Sequence, residues 1–241
     1  FVDFPIAEDT ISEQLNTVQL KRLDLARALA SGPKMLFLDE LAEFKKSVLE
    51  VLRQPLEQRR VSISRAASSL TYPSDFTLIA ASNPCPCGYY TDSAHECRCT
   101  PAQIARYRSR LSGPLLDRID IHVEVPAVPY ADLMAQTPAE PSAKIRSRVT
   151  AARNMQEKRF DRSRVRTNAA MKSRHIKQHC ATDSESAGIL ESAVQRLGLS
   201  ARAYHRILKI ARTIADLAGE DTIRPPHILE AVGYRSMDRP L

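Results

Sequence analysis

The stretch Met35-Leu36-Phe37-Leu38 is continuously apolar and stops on Asp39-Glu40. A run this short, preceded by Gly32-Pro33 and followed by paired carboxylates, predicts a buried parallel strand rather than a helix. Such a strand needs cover on both faces, so the chain must surround an open α/β sheet with helices. Ligands bind at the carboxyl edge of sheets of this kind, and the run delivers Asp39 and Glu40 to that edge.

The neighbouring segments supply the rest of such a domain. In residues 17–30, Val18, Leu20, Leu23, Leu25, Ala26 and Leu29 gather on one side of a predicted helix, with Lys21, Arg22 and Arg27 opposite. Ser31-Gly32-Pro33 ends it. A helix over about residues 45–56 follows, and the alternation in VSISRAASSLTY predicts a short hairpin or insert. Residues 76–81 read as a second buried strand ending on Ser82-Asn83, 84–100 as a Cys, Pro and Gly loop, and 101–111 as a helix. Residues 119–125 alternate as a third strand, and the Pro-rich stretch 126–141 reads as a linker.

Beyond the linker the chain is helical, over 143–159, 184–197, 200–217 and 224–234. In the third of these, Tyr204, Ile207, Leu208, Ala211, Ile214, Ala215 and Ala218 keep the spacing of one core-facing stripe. The predicted organisation is therefore an N-terminal segment (1–35), an α/β core with a parallel sheet (36–130), a linker (131–142) and a small all-α domain (143–241).

A formal charge of +7 and a pI near 9.3 favour polyanionic partners. Between residues 144 and 177 the basic side chains, Arg159, Arg162, Arg164, Arg166, Lys172 and Arg174 among them, face only Glu157 and Asp161 as acids. Two readings apply: a solvated helix face with a basic linker, or a DNA contact made by Arg162, Arg164, Arg166, Lys172 and Arg174. The apolar runs are too short to span a bilayer and no signal-peptide pattern opens the chain, so a cytoplasmic protein with no membrane partner is expected. The first residue is Phe1 rather than Met, as expected of a processed chain or a fragment.

Four of the five cysteines cluster as Cys85, Cys87, Cys97 and Cys99. Four thiolates can complete a tetrahedral structural Zn²⁺ site, with unligated thiols and disulfides as the alternatives. His95 reads as a surface residue, since four cysteines already saturate such a site. The remaining histidines share no spacing from which a catalytic triad or hydrolytic zinc motif can be built.

An acidic pair at a strand end is commonly only solvated. Its chemical reading is a Walker B element, in which Asp39 holds Mg²⁺ through water and Glu40 polarises the water that attacks a γ-phosphate. Asn83, at the end of the second strand, places an amide where that water has to be oriented. Arg118 in GPLLDRIDI is either an ion-pair partner of Asp117 or Asp120, or an arginine finger for a neighbouring subunit's nucleotide.

The blocks LFLDELAEFKKSVLEVLRQPLE, SISRAASSLTYPSDFTLIAASNPCPCGYY, CRCTPAQIARYRSRLSGPLLDRIDIHVEVP and LSARAYHRILKIARTIADLAG resemble, in order, the magnesium-chelatase-related AAA+ ATPases of the ComM/YifB type. The resemblance runs over about residues 36–239. It implies a partial P-loop NTPase-type core with a helical lid, ATP and Mg²⁺ as cofactors, a homo-oligomeric hexameric ring, and ATP-dependent DNA branch migration in recombination and natural transformation. It also implies Walker B roles for Asp39 and Glu40, a sensor 1 role for Asn83, a trans-acting finger in Arg118, and a sensor 2 arginine in Arg202. For Arg202 the plain alternative is a surface arginine near a helix start, where its charge opposes the dipole.

The opening departs from that pattern. A phosphate-binding loop GxxxxGK[ST] needs glycines and a lysine, whereas the only glycine before Gly88 is Gly32. TVQLKRLDLARALASGPKMLFLDE instead resembles the helix and strand leading to Walker B in ABC-transporter ATPases, without their Ser-Gly-Gly signature. Two further functional expectations stand beside the motor: a catalytically inactive fragment or DNA-binding relic, and a magnesium-chelatase-type motor subunit.

Overall fold

A computed structural model describes residues 24, 25, 28, 29, 31–65, 68–92, 94–126, 128, 134, 139–161 and 163–235. Most of the predicted opening helix and Arg162 lie outside the described residues. The chain divides into two compact units, the second beginning at Asp120.

In the first unit, Gly32 takes φ 65° at the turn that admits strand β1 (Met35–Leu38). β1 pairs in parallel with β4 (Thr77–Ala80), Leu36 opposite Leu78 and Leu38 opposite Ala80. Between them the chain forms short helical turns from Leu41 to Leu52, then helix α1 (Arg53–Gln58). The antiparallel hairpin β2 (Arg60–Arg65) and β3 (Ser68–Pro73) follows, as the alternating sequence predicts. Leu25, Leu29, Leu36, Leu41, Val48, Leu49, Leu52, Tyr107, Leu111 and Leu115 form the buried core beneath the sheet.

Sequence reasoning expected β1 and β4 to be buried on both faces. The structure corrects this: Leu36 is buried while Met35 and Phe37 are 50% and 65% exposed, and Ile79 is 44% exposed. Neighbouring residues in a strand point to opposite faces, so helices packed on one side bury alternate positions only. The predicted third strand is also corrected, because 119–126 carries no strand. There Ile121, Val123 and Val125 are exposed while His122 is buried, its N–H donating to the Tyr234 carbonyl at 2.9 Å. Alternation indicates a two-faced segment, but not which face is buried or whether a strand lies alongside it.

Helix α2 (Pro101–Arg108) begins on a reciprocal cap: the Gln103 N–H donates to Thr100 Oγ1 at 3.3 Å, and the Thr100 N–H donates to Gln103 Oε1 at 2.8 Å.

The second unit holds α3 (Ser142–Arg159), α4 (Ser173–His179), α5 (Ser184–Leu197), α6 (Ala201–Ala218) and α7 (Pro225–Gly233). Local chemistry sets their ends. Asp183 and Ser200 accept N–H groups at the starts of α5 and α6, and Gly198 and Gly219 take φ 59° and 76° at their ends. Phe160, Ile176, Leu190, Ile207, Leu208, Ala211 and Ile228 form the core of this bundle.

Of the predicted α6 stripe, Ile207, Leu208, Ala211 and Ala215 are buried and Ile214 packs against the core, but the buried face is wider on one side than the stripe and narrower on the other. Arg212 and Asp216 are buried, while Tyr204 is 38% exposed and Ala218 is exposed. The charges are tolerated because they are fully engaged. Arg159 donates to both Asp216 carboxylate oxygens, at 2.7 and 2.5 Å, and Arg212 Nε donates to Oδ1 at 3.1 Å. Asn168 Nδ2 adds a bond of 2.7 Å to Oδ2, and Arg212 also donates to the carbonyls of Glu220 and Asp221. Arg159, which the sequence places in the solvated basic run, is therefore part of a buried network.

No helix among the described residues is long and apolar enough to cross a membrane.

Candidate functional site

Parallel pairing of β1 with β4 sends both chains out of the sheet at the same edge. The Ala81 N–H donates to the Leu38 carbonyl at 2.9 Å, and the Leu41 N–H donates to the Ala81 carbonyl at 2.8 Å. The carboxylate turn 39–40 is thus held against the segment that leads to Asn83. Asp39, Glu40 and Asn83 are all exposed at this edge. Glu40 adopts φ 50°, ψ 46°, and its N–H donates to Asp39 Oδ1 at 2.9 Å. A left-handed glutamate costs roughly 1–2 kcal/mol, and backbone strain of this kind concentrates at functional sites.

Tyr107 and Arg110, neither of them predicted as a site residue, hold this edge in place. Tyr107, 3% exposed, shares hydrogen bonds with Glu43 and Ser82. Burial, with the Glu43 carboxylate, raises its hydroxyl pKa. Arg110 donates to the Ala42 carbonyl at 2.9 Å and to Glu43 Oε2 at 3.0 Å, with its guanidinium 5.2 Å from the Tyr107 ring centre. The three-residue spacing of Tyr107 and Arg110 is the one trace of this arrangement in the sequence.

Arg118 is paired with a residue that the sequence reading did not foresee. It donates to Glu57 and to the Pro114 carbonyl, and its side chain is 8% exposed. Glu57 lies 61 residues earlier in the chain, a partner that local sequence cannot indicate.

In the second unit, Arg202 is exposed in the first turn of α6, and Arg206, one turn on, pairs with Asp120. Arg164, Arg166, Lys172 and Arg174 are exposed, as a nucleic-acid contact requires.

The cysteines do come together. The Sγ atoms of Cys85, Cys87, Cys97 and Cys99 all lie within 4.8 Å of one another, and none forms a disulfide. Such a cluster can hold a metal ion. His95 stays outside it, its ring paired with Asp92 at 3.1 Å and stacked on Tyr89. The Tyr89 N–H directed at its sulfur is the largest influence on Cys87, whose pKa is lowered to about 6. Burial leads on Cys99, pushed up to about 12.

An α/β unit with carboxylates at a parallel-sheet edge, followed by a helical bundle, is the arrangement of a magnesium-chelatase-type AAA+ protein. The family model described as magnesium chelatase, subunit ChlI, matches residues 26–133, and that for the ChlI C-terminal region matches 139–235. The chain belongs to this family. It is 48% identical over 206 residues, 85% of its length, to competence protein ComM of Haemophilus influenzae. The identity is 46% to YifB of Escherichia coli and 44% to YifB of Salmonella typhimurium, each over 85% of the chain. It spans 39% of the Haemophilus relative and 40% of each YifB protein.

Proposed function

We propose that this chain carries the Walker B, sensor and lid elements of an ATP-hydrolysing ring motor that remodels DNA in the cytoplasm. The observation that carries the reading is the shared edge of β1 and β4, where the hydrogen-bonded turn presents Asp39, a strained Glu40 and Asn83 together.

The residues suit the chemistry. Mg²⁺ is usually bound by one or two carboxylates with water and phosphate oxygens completing its shell, and Asp39 offers an exposed carboxylate oriented by the Glu40 N–H. Bound ATP with Mg²⁺ supplies the phosphoryl group that is transferred to water. Glu40 accepts the proton of that water, and the Asn83 amide orients it. Arg118, released from Glu57, stabilises charge on a neighbouring subunit's nucleotide in a homo-oligomer taken to be hexameric, and Arg202 serves as the sensor 2 arginine. Arg162, Arg164, Arg166, Lys172 and Arg174 contact DNA. The 48% identity to a competence protein supports competence as the setting; branch migration of DNA in recombination is the work that the resemblance to ComM/YifB-type ATPases implies.

Glu40→Gln keeps the shape and removes the base. In the protein carrying this sequence, the substitution is expected to lower ATP turnover by about 100-fold or more while nucleotide still binds. Turnover equal to that of the parent protein overturns the role given to Glu40.

A further inference from the structure

We infer that Cys85, Cys87, Cys97 and Cys99 together bind one Zn²⁺ as a four-thiolate structural centre that ties the end of β4 to the start of α2.

The separations decide among the states open to four cysteines. Cys85 and Cys87 sulfurs are 3.3 Å apart, Cys85 and Cys97 3.8 Å, and Cys87 and Cys97 3.6 Å. A tetrahedral site with metal–sulfur bonds of about 2.3 Å has sulfur–sulfur edges of about 3.8 Å. The observed set surrounds a volume that fits one ion. Disulfides require contact at about 2.0 Å. An iron–sulfur cluster places two or more metal ions between the cysteines and forces them further apart than a mononuclear site does.

The backbone is arranged for sulfur ligands as well. Gly88 takes φ 86° and donates its N–H to the Cys85 carbonyl at 3.1 Å, a tight turn that brings Cys85 and Cys87 to the same side. The N–H groups of Tyr89 and Arg98 are directed at Cys87, that of Cys99 at Cys97, and that of Cys87 at Cys99. Donors of this kind spread the negative charge of ligating thiolates and fix their orientation. Binding displaces the thiol protons to solvent, and no electrons move.

The position of the centre gives its role. Cys85 follows Asn83 by two residues through Pro84, and Cys99 precedes Thr100, the cap of α2. That helix carries Tyr107, bonded to both Glu43 and Ser82. The ion thus closes a loop that runs from the end of β4 beside Asn83 to the helix that carries Tyr107. This inference stands without the ATPase reading, since its readouts are metal content and spectra.

The protein is purified without chelator, its metals are counted by mass spectrometry, and Zn²⁺ is then exchanged for Co²⁺. One zinc per chain is expected, with intense tetrahedral cobalt bands and sulfur-to-cobalt charge transfer. Cys99→Ser should weaken zinc at least about 10-fold and reduce the charge-transfer intensity. Cys180→Ser, which alters the one cysteine outside the cluster, should change neither. Substoichiometric metal with no tetrahedral cobalt spectrum overturns the proposal, and so does iron in place of zinc. The parent protein's spectrum decides the matter even where Cys99→Ser fails to fold.

Discussion

Asp216 is a carboxylate with no solvent-exposed side-chain surface, held by two arginines and an asparagine. Breaking a buried ion pair from one side leaves the other charges desolvated without compensation, at a cost of about 3–5 kcal/mol. Asp216→Ala is therefore expected to lower the stability of the helical unit by about that much, measured by denaturant unfolding. A loss below 1 kcal/mol, roughly the value of an exposed pair, contradicts the assigned burial. This network also shows where residue-level reading stops. Arg212 and Asp216, one turn apart, suggest an exposed ion pair, and only Arg159 and Asn168, packed from distant sequence, give them a reason to be inside. The same non-local logic hides Arg118's partner Glu57. The exposed acidic turn 39–40 and the gathering of the four cysteines were legible because short spacing alone brings those residues together.

At the scale of elements, four helices of the second unit were legible almost to the residue, whereas α4 was not predicted. Predicted 184–197 is Ser184–Leu197, and predicted 200–217 is Ala201–Ala218, because caps at Asp183, Ser200, Gly198 and Gly219 act locally. Strand burial depends on what packs above and below, and there the expectation failed at Met35, Phe37 and Ile79. One element also carries a titration. His179, at the end of α4, lies edge-on to Phe160 at 5.5 Å. Burial first, then the charges of Arg159, His175 and Arg212, lowers its pKa from 6.5. The unfolded chain takes up this proton first, so the stability contribution is complete above 6.5 and is lost as pH falls through 6.5 toward the lower folded value. The melting temperature of the parent protein should drop between about pH 7 and pH 5, and His179→Gln should flatten that slope. An equal slope in both proteins excludes His179 as its source.

For the whole molecule, the charge of +7 is a statement about partners and not about fold. What turns it into a DNA reading is placement. Arg164, Arg166 and Lys172 are exposed along the stretch that joins α3 to α4 and Arg174 in the first turn of α4, while Arg159 from the same run is withdrawn into the core. Each cation that meets a backbone phosphate releases condensed counterion, so the logarithm of affinity falls with the logarithm of salt by about 0.9 per contact on duplex DNA. Replacing Arg164, Arg166, Lys172 and Arg174 with glutamine should weaken binding to DNA of any sequence and shrink the salt slope by up to about 3.6, as titrations at several salt concentrations will show. Neutralising four exposed cations elsewhere, Lys45, Lys46, Arg60 and Arg106, controls for net charge. If this control set reduces the slope as much as the first set does, the basic run contributes only diffuse attraction. A slope altered by the first set alone makes residues 164–174 the surface that meets the phosphates.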